Sequence, residues 1–185
     1  MKSIAVYCGA SPGADPRYAD AARDLARVLV ERNIALVYGG GKVGLMGVIA
    51  DEVLRLGGEA TGVIPKALVE REVGHAGLTR LFVVKDMHER KAMMAELAEG
   101  FIAMPGGMGT LEELFEMVTW AQLGIHAKPI GLLNAEGFYD GLARFVDHMV
   151  EQGFVRPAHA DLLTLDANPD ALVQRLMQRA APGMA

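Results

Sequence analysis

The residues whose types and spacing could do chemistry are concentrated in one stretch, Phe101 to Glu116, FIAMPGGMGTLEELFE. Gly106, Gly107 and Gly109 leave the backbone amides of a turn uncovered, and Thr110 opens a helix behind them. A glycine turn feeding a helix N-terminus gathers N–H groups and the positive end of the helix dipole at one spot, which makes an anion site. A phosphate is the anion expected. Glu113 follows Thr110 at the spacing of a capping box. Its carboxylate either closes the helix start, or performs chemistry beside a turn where a negative charge is electrostatically awkward. Glu116 and Trp120 follow on the side of Glu113, where they line a cleft, meet another subunit or form a solvated flank.

A second candidate is Arg90, in helical register with Met87, Met94 and Leu97. A guanidinium in an apolar seam must be paired or face a ligand. The plainer reading is an Asp86–Arg90 surface pair at i, i+4. Lys91 reads as surface charge. Gly39-x-Gly41-x-x-Gly44 satisfies a dinucleotide fingerprint. Its glycines either touch phosphate, with Gly40, Gly41 and the later Gly106 as candidates, or serve close helix–sheet packing. NAD is disfavoured, because the loop follows the second predicted strand and the third ends in Ile64-Pro65-Lys66 without an acid for a ribose diol. The 5 histidines have no metal-ligand spacing, so neither metal nor cofactor is expected. Cys8 reads as a buried structural thiol and the methionines as core fillers.

These residues need positioning elements. Short apolar runs at Ser3–Cys8, Ile34–Tyr38, Ala60–Ile64, Leu81–Val84, Phe101–Met104, Pro129–Leu133 and Leu162–Leu165 read as strands. Amphipathic segments alternate with them: a helix from Pro16 to about Glu31 capped by Asp15, then Leu45–Leu56, then Asp86–Glu99 with an Asp86-x-x-Glu89 capping box. The helix opened by Thr110 has the stripe Leu111, Leu114, Phe115, Val118 and Ala121. Gly137–Gln152 and Pro169–Ala180, the latter capped by Asn168, complete the set, and Lys66–Thr79 reads as an irregular loop. The alternation predicts an α/β fold of three layers, α/β/α, with a doubly wound, Rossmann-like parallel sheet in a single domain over residues 1–185. Ligands of such sheets lie at the carboxyl ends of the strands. The turns after the first, second, fourth and fifth strands should therefore converge on one edge.

Composition limits the rest. A 185-residue chain with 51% hydrophobic and 22% charged residues is globular. The net charge of −5 argues against nucleic acid as a partner. Apolar runs are too short to span a bilayer, and the single cysteine suits a reducing cytoplasm.

Pro105-Gly106-Gly107-Met108-Gly109-Thr110-Leu111-Glu112-Glu113 resembles the PGGxGTxxE motif of the Lonely Guy family, cytokinin riboside 5′-monophosphate phosphoribohydrolases. Further blocks match in the family order: Cys8-Gly9-Ala10-Ser11, Val37-Tyr38-Gly39-Gly40-Gly41 with Gly44-Leu45-Met46-Gly47, Gly62-Val63-Ile64-Pro65, Met87-His88-Glu89-Arg90-Lys91 and Thr119–His126. Ala10 stands where the family often has Ser. The resemblance implies hydrolysis of the N-glycosidic bond of adenine-type nucleoside 5′-monophosphates, AMP among them, to free base and ribose 5-phosphate. Arg90 and Glu113 correspond to the catalytic pair. Glu72, Lys91, Gly107, Met108, Gly109, Thr110, Leu111, Glu112 and Thr119 correspond to substrate contacts. A homodimer is implied as well, with the Glu116/Trp120 flank and the Thr119–His126 block at its interface. The rival readings are a non-catalytic nucleotide carrier and an NAD(P)-dependent enzyme.

Overall fold

Each strand alternates two sets of apolar side chains, one for each face of a sheet that is covered on both sides. The structure, a computed structural model, describes residues 1–69 and 74–180. Its strands are Ser3–Tyr7 (β1), Ala35–Tyr38 (β2), Ala60–Pro65 (β3), Arg80–Val84 (β4), Phe101–Ala103 (β5), Ile130–Leu133 (β6) and Leu163–Asp166 (β7). They form one parallel sheet in the order β4-β3-β2-β1-β5-β6-β7. The chain winds outward from β1 to β4 and returns to lay β5 on the other side of β1, with Val6 opposite Ile102. This reversal is the topological switch point of a doubly wound sheet, where ligands bind.

The helices are Arg17–Glu31 (α1), Gly44–Arg55 (α2), Met87–Leu97 (α3), Met108–Gln122 (α4), Asp140–Glu151 (α5), Pro157–Ala160 (α6) and Pro169–Ala180 (α7). Ile4, Val6 and Cys8 of the first strand and its end face the core under α1, α2 and α7, while Ala5 and Tyr7 face the core under α3 and α4. Fully buried Leu25, Leu29, Leu36 and Ile49 anchor the first core, each worth about 2 kcal/mol of apolar transfer. No helix among the described residues is long and apolar enough to cross a membrane.

Three elements depart from the sequence reading. α4 begins at Met108 and not at Thr110, because Gly107, in extended conformation (φ −95, ψ −158), takes the cap position without a side-chain bond. The segment Ala135–Gly137 is a 3₁₀ turn with Glu136 at φ 53, so α5 starts only at Asp140. A left-handed residue cannot continue an α-helix. The four-residue α6 is too short to show a period in sequence. The Asp86 and Asn168 caps form as expected: Asp86 Oδ1 accepts from the His88 and Glu89 amides at 3.0 Å, and Asn168 Oδ1 from Ala171 at 3.0 Å.

Candidate functional site

The carboxyl ends of β1 and β5 are tied together before any ligand arrives. Met104 N–H donates to Tyr7 O at 2.8 Å, Gly9 N–H to Pro105 O at 3.1 Å, and Leu45 N–H to Gly9 O at 3.0 Å. Gly44, at φ +60, lies so close to this crest that a Cβ would sit 2.3 Å from the Ala10 carbonyl carbon. The turns after β1, β2, β4 and β5 therefore meet at one edge, as the topology required.

A cavity of about 210 Å³ opens there, walled by Cys8, Met46 and Met87 and bordered by Arg90, Gly107, Gly109, Thr110 and Glu113. Arg90 comes from the first turn of α3 and Glu113 from the second turn of α4, and both are buried. Arg90 Nη2 lies 3.9 Å from Glu113 Oε1 and donates to Gly39 O at 3.4 Å, while Nη1 meets Met87 Sδ at 3.7 Å. Arg90 Nε is enclosed without a hydrogen-bond partner among the described residues. The surface pair with Asp86 does not form, since Asp86 is occupied in capping α3. The capping-box reading of Glu113 is likewise excluded. With Gly107 as cap, Thr110 already lies inside the helix, and Glu113 faces inward with Thr110, Leu114, Met117 and Val118. Glu113 thus shares the buried face that the sequence reading assigned to Leu111 and Phe115, which are only partly buried.

Lys91 also departs from expectation. It is 5% exposed and not surface charge. Its Nζ bonds Glu112 Oε1 and lies 3.1 Å from Glu116 Oε2. Burial pulls its pKa down, but the two carboxylates outweigh this and hold it above the ordinary lysine value. Its charge is therefore intact across the neutral range, and any stability it confers is lost only as pH rises through that elevated value. Burial pushes the Tyr7 phenol and the Cys8 thiol well up, and the Glu113 charge adds to both. Cys8 is accordingly an unreactive wall of the cavity. The proximity of Tyr7 to the Glu113 group was not legible in sequence, because a tyrosine in a strand carries no sign of which helix covers it.

The glycines divide into two kinds. A Cβ on Gly39 would meet Arg90 Nη2 at 1.9 Å, and one on Gly106 would meet Thr110 Oγ1 at 2.1 Å. Gly40 and Gly41 are buried: the Gly40 carbonyl accepts from His75 N–H at 3.0 Å, and Gly41 bridges Gly74. Close packing accounts for Gly39, Gly40 and Gly106. Gly107 and Gly109, by contrast, have nothing among the described residues within 4 Å of where a Cβ would sit. Their amides front the open mouth at the N-terminus of α4, the geometry an anion needs.

Met108 is exposed on this rim. Thr119 is exposed farther along α4, its hydroxyl donating to Phe115 O at 2.7 Å, and does not reach the cavity of its own chain. Glu72 lies outside the described residues. A neighbouring cavity of about 440 Å³ between Tyr18, Leu45 and Phe138 shares Gly9, Ala10 and Gly107 with the first, and among the described residues the Tyr18 phenol is the one ionisable side chain that lines it. No group of three or more His, Cys, Asp or Glu among the described residues could hold a metal ion.

A family model described as "Possible lysine decarboxylase" matches residues 46–176. A cytokinin riboside 5′-monophosphate phosphoribohydrolase of Arabidopsis thaliana is 50% identical over 176 residues, covering 95% of this chain and 81% of its own. A probable phosphoribohydrolase of the same name from Oryza sativa subsp. japonica is 49% identical over 95% of this chain and 72% of its own. The chain belongs to the Lonely Guy family. Among solved structures, the Moco carrier protein of Chlamydomonas reinhardtii superposes with a TM-score of 0.73 at 19% identity, covering 98% of each chain. The molybdenum cofactor binding protein of Rippkaea orientalis gives 0.71 at 18% identity over 96% of each. At such identities these establish the doubly wound fold alone. The decarboxylase description has no counterpart in this Lonely Guy cavity. Among the described residues no lysine lines it, so a pyridoxal phosphate Schiff base would have no amine there.

Proposed function

We propose that this chain hydrolyses the N-glycosidic bond of cytokinin riboside 5′-monophosphates, and of AMP, to the free base and ribose 5-phosphate. The observation that carries the reading is the meeting of Arg90 and Glu113, 3.9 Å apart, at the wall of a cavity whose rim is an open glycine turn at a helix N-terminus. The 5′-phosphate seats against the Gly107–Thr110 amides. Ribose then lies over Glu113. Cleavage of the C1′–N9 bond leaves positive charge on the ribose and the electron pair on the base. The Glu113 carboxylate faces the first and takes a proton from the attacking water, whose oxygen bonds C1′. Arg90 holds the ribose oxygens and matches the Glu113 charge. The departing base takes up a proton from solvent as it leaves, and Glu113 gives the water proton back to solvent, so the carboxylate is restored.

The phosphate, remote from the bond broken, supplies binding energy that orients the sugar. Isopentenyladenosine monophosphate and AMP should both release base in a chromatographic assay, whereas adenosine should react about 10²-fold more slowly in kcat/KM. Equal turnover of adenosine and AMP would refute the phosphate's role. Binding of both nucleotides with no base released would make the protein a carrier.

The protein acts in the cytoplasm in this reading, as a homodimer. Leu123 and Ile125, 70% and 61% exposed at the end of α4, form an apolar rim beside Thr119 that a second copy would cover. Light scattering at assay concentration should give twice the 19.8 kDa chain mass. A monomeric mass would overturn the dimer.

A further inference from the structure

His75 is a buried polar side chain with no part in the chemistry above, 4% exposed in a stretch that reads in sequence as an irregular loop. Both of its ring nitrogens are committed. Nδ1 accepts from Gly77 N–H at 3.1 Å, so the ring proton sits on Nε2, which donates to Asp51 Oδ1 at 2.8 Å. Asp51 belongs to α2, which Ile49, Ala50 and Val53 anchor in the core. A buried imidazole must keep its donor and its acceptor satisfied, and these two bonds fix the ring in one orientation. The strap 74–77 is thereby tied to a rigid helix.

The strap in turn holds the turn after β2. His75 N–H donates to Gly40 O at 3.0 Å, and Gly41 bridges Gly74 in the antiparallel sense. Gly39, Gly40 and Gly41 bring no side chains of their own, so ties from outside must set where this backbone runs. The preceding carbonyl, Gly39 O, accepts from Arg90 Nη2 at 3.4 Å, and the guanidinium fills the space that a Gly39 Cβ would take. A shift of the turn therefore moves the surface on which Arg90 rests at the cavity wall.

We propose that His75, braced by Asp51, is a positioning residue for Arg90, acting through the strap and the glycine turn. It does not line the cavity itself. The proposal rests on the reading in which Arg90 holds the ribose.

The test starts at Asp51, whose side chain is 59% exposed, so that truncating it leaves the core packed. Asp51→Ala removes the Nε2 acceptor and should lower kcat/KM for isopentenyladenosine monophosphate about tenfold, a smaller displacement than the ~1 Å that costs about 10²-fold. Asp51→Asn keeps an acceptor oxygen and should restore the rate to within about twofold of wild type. His75→Leu should lose as much as Asp51→Ala. In a Gly39→Ala background, where the new Cβ has already pushed the guanidinium off the turn, neither change should cost more. Each double variant should lie within about threefold of Gly39→Ala alone, whereas unrelated structural damage would multiply the losses to about 10³-fold.

A second measurement needs no turnover. The His75 amide, held by Gly40 O, and the Gly77 amide, held by Nδ1, should exchange with deuterium about tenfold faster in Asp51→Ala than in wild type or Asp51→Asn. Turnover of Asp51→Ala within about twofold of wild type, no recovery in Asp51→Asn, multiplied losses in the Gly39→Ala background, or unchanged amide exchange each overturns the proposal. Should His75→Leu fail to fold, the two Asp51 variants decide it. If the wild type releases no base, the proposed function falls, while the exchange rates and the same comparison read on the Kd for AMP still decide the role of His75.

Discussion

Glu113→Gln is expected to lower kcat for isopentenyladenosine monophosphate about 10³-fold, within the range usual for loss of a general base. The amide keeps the volume and planarity of the carboxylate, so the inward face of α4 with Leu114 and Met117 stays packed. What is lost is the charge opposite the developing oxocarbenium ion and the acceptor for a water proton. Both matter more in the transition state than in the ground state, so nucleotide affinity should stay within about a factor of three of wild type. Arg90 then faces a neutral partner at the same 3.9 Å, and its guanidinium remains available to ribose. Single-turnover base release with calorimetric binding checks both halves. Turnover within tenfold of wild type would remove Glu113 from the chemistry.

Gly39→Ala should lower kcat/KM about 10²-fold without altering any ionisable group, as a misplacement of the order of 1 Å can do. The new Cβ would lie 1.9 Å from Arg90 Nη2 and 3.1 Å from both Arg90 Cζ and Met46 Sδ. Only the guanidinium, the far end of a flexible side chain, can yield cheaply. It would leave the Gly39 carbonyl and lose its register with Glu113. Because β2 need not move, stability should change by about 1 kcal/mol or less. The combination is what marks a positional effect: a thermal midpoint near wild type and a low rate. A fully active, folded Gly39→Ala protein would show that the guanidinium position seen here is not the one that works.

Some of this was written in local sequence. Strand runs of four to six apolar residues, caps such as Asp86 and Asn168, and the Gly106–Gly109 turn depend on neighbours within a few positions, so periodicity and turn chemistry reveal them. The alternation of strand and helix then determined a parallel, doubly wound sheet, and with it the edge at which a ligand must sit. The matching blocks from Cys8 to His126 pointed to the family for the same reason, being runs of residue types in order.

Other features were decided only when the chain closed. Lys91 read as surface charge and Glu113 as a helix-cap candidate because hydropathy assigns a charged side chain to solvent unless a distant partner is supplied. The partner for each comes from the facing helix: Arg90 for Glu113, and Glu112 with Glu116 for Lys91. Which faces of α3 and α4 meet is set by the return of the chain from β4 to β5 beside β1. The same closure separated Gly39 and Gly106, crowded by Arg90 and Thr110, from Gly107 and Gly109, which stand open. A glycine's conformational licence is a property of its own residue. The space in front of it belongs to the whole fold.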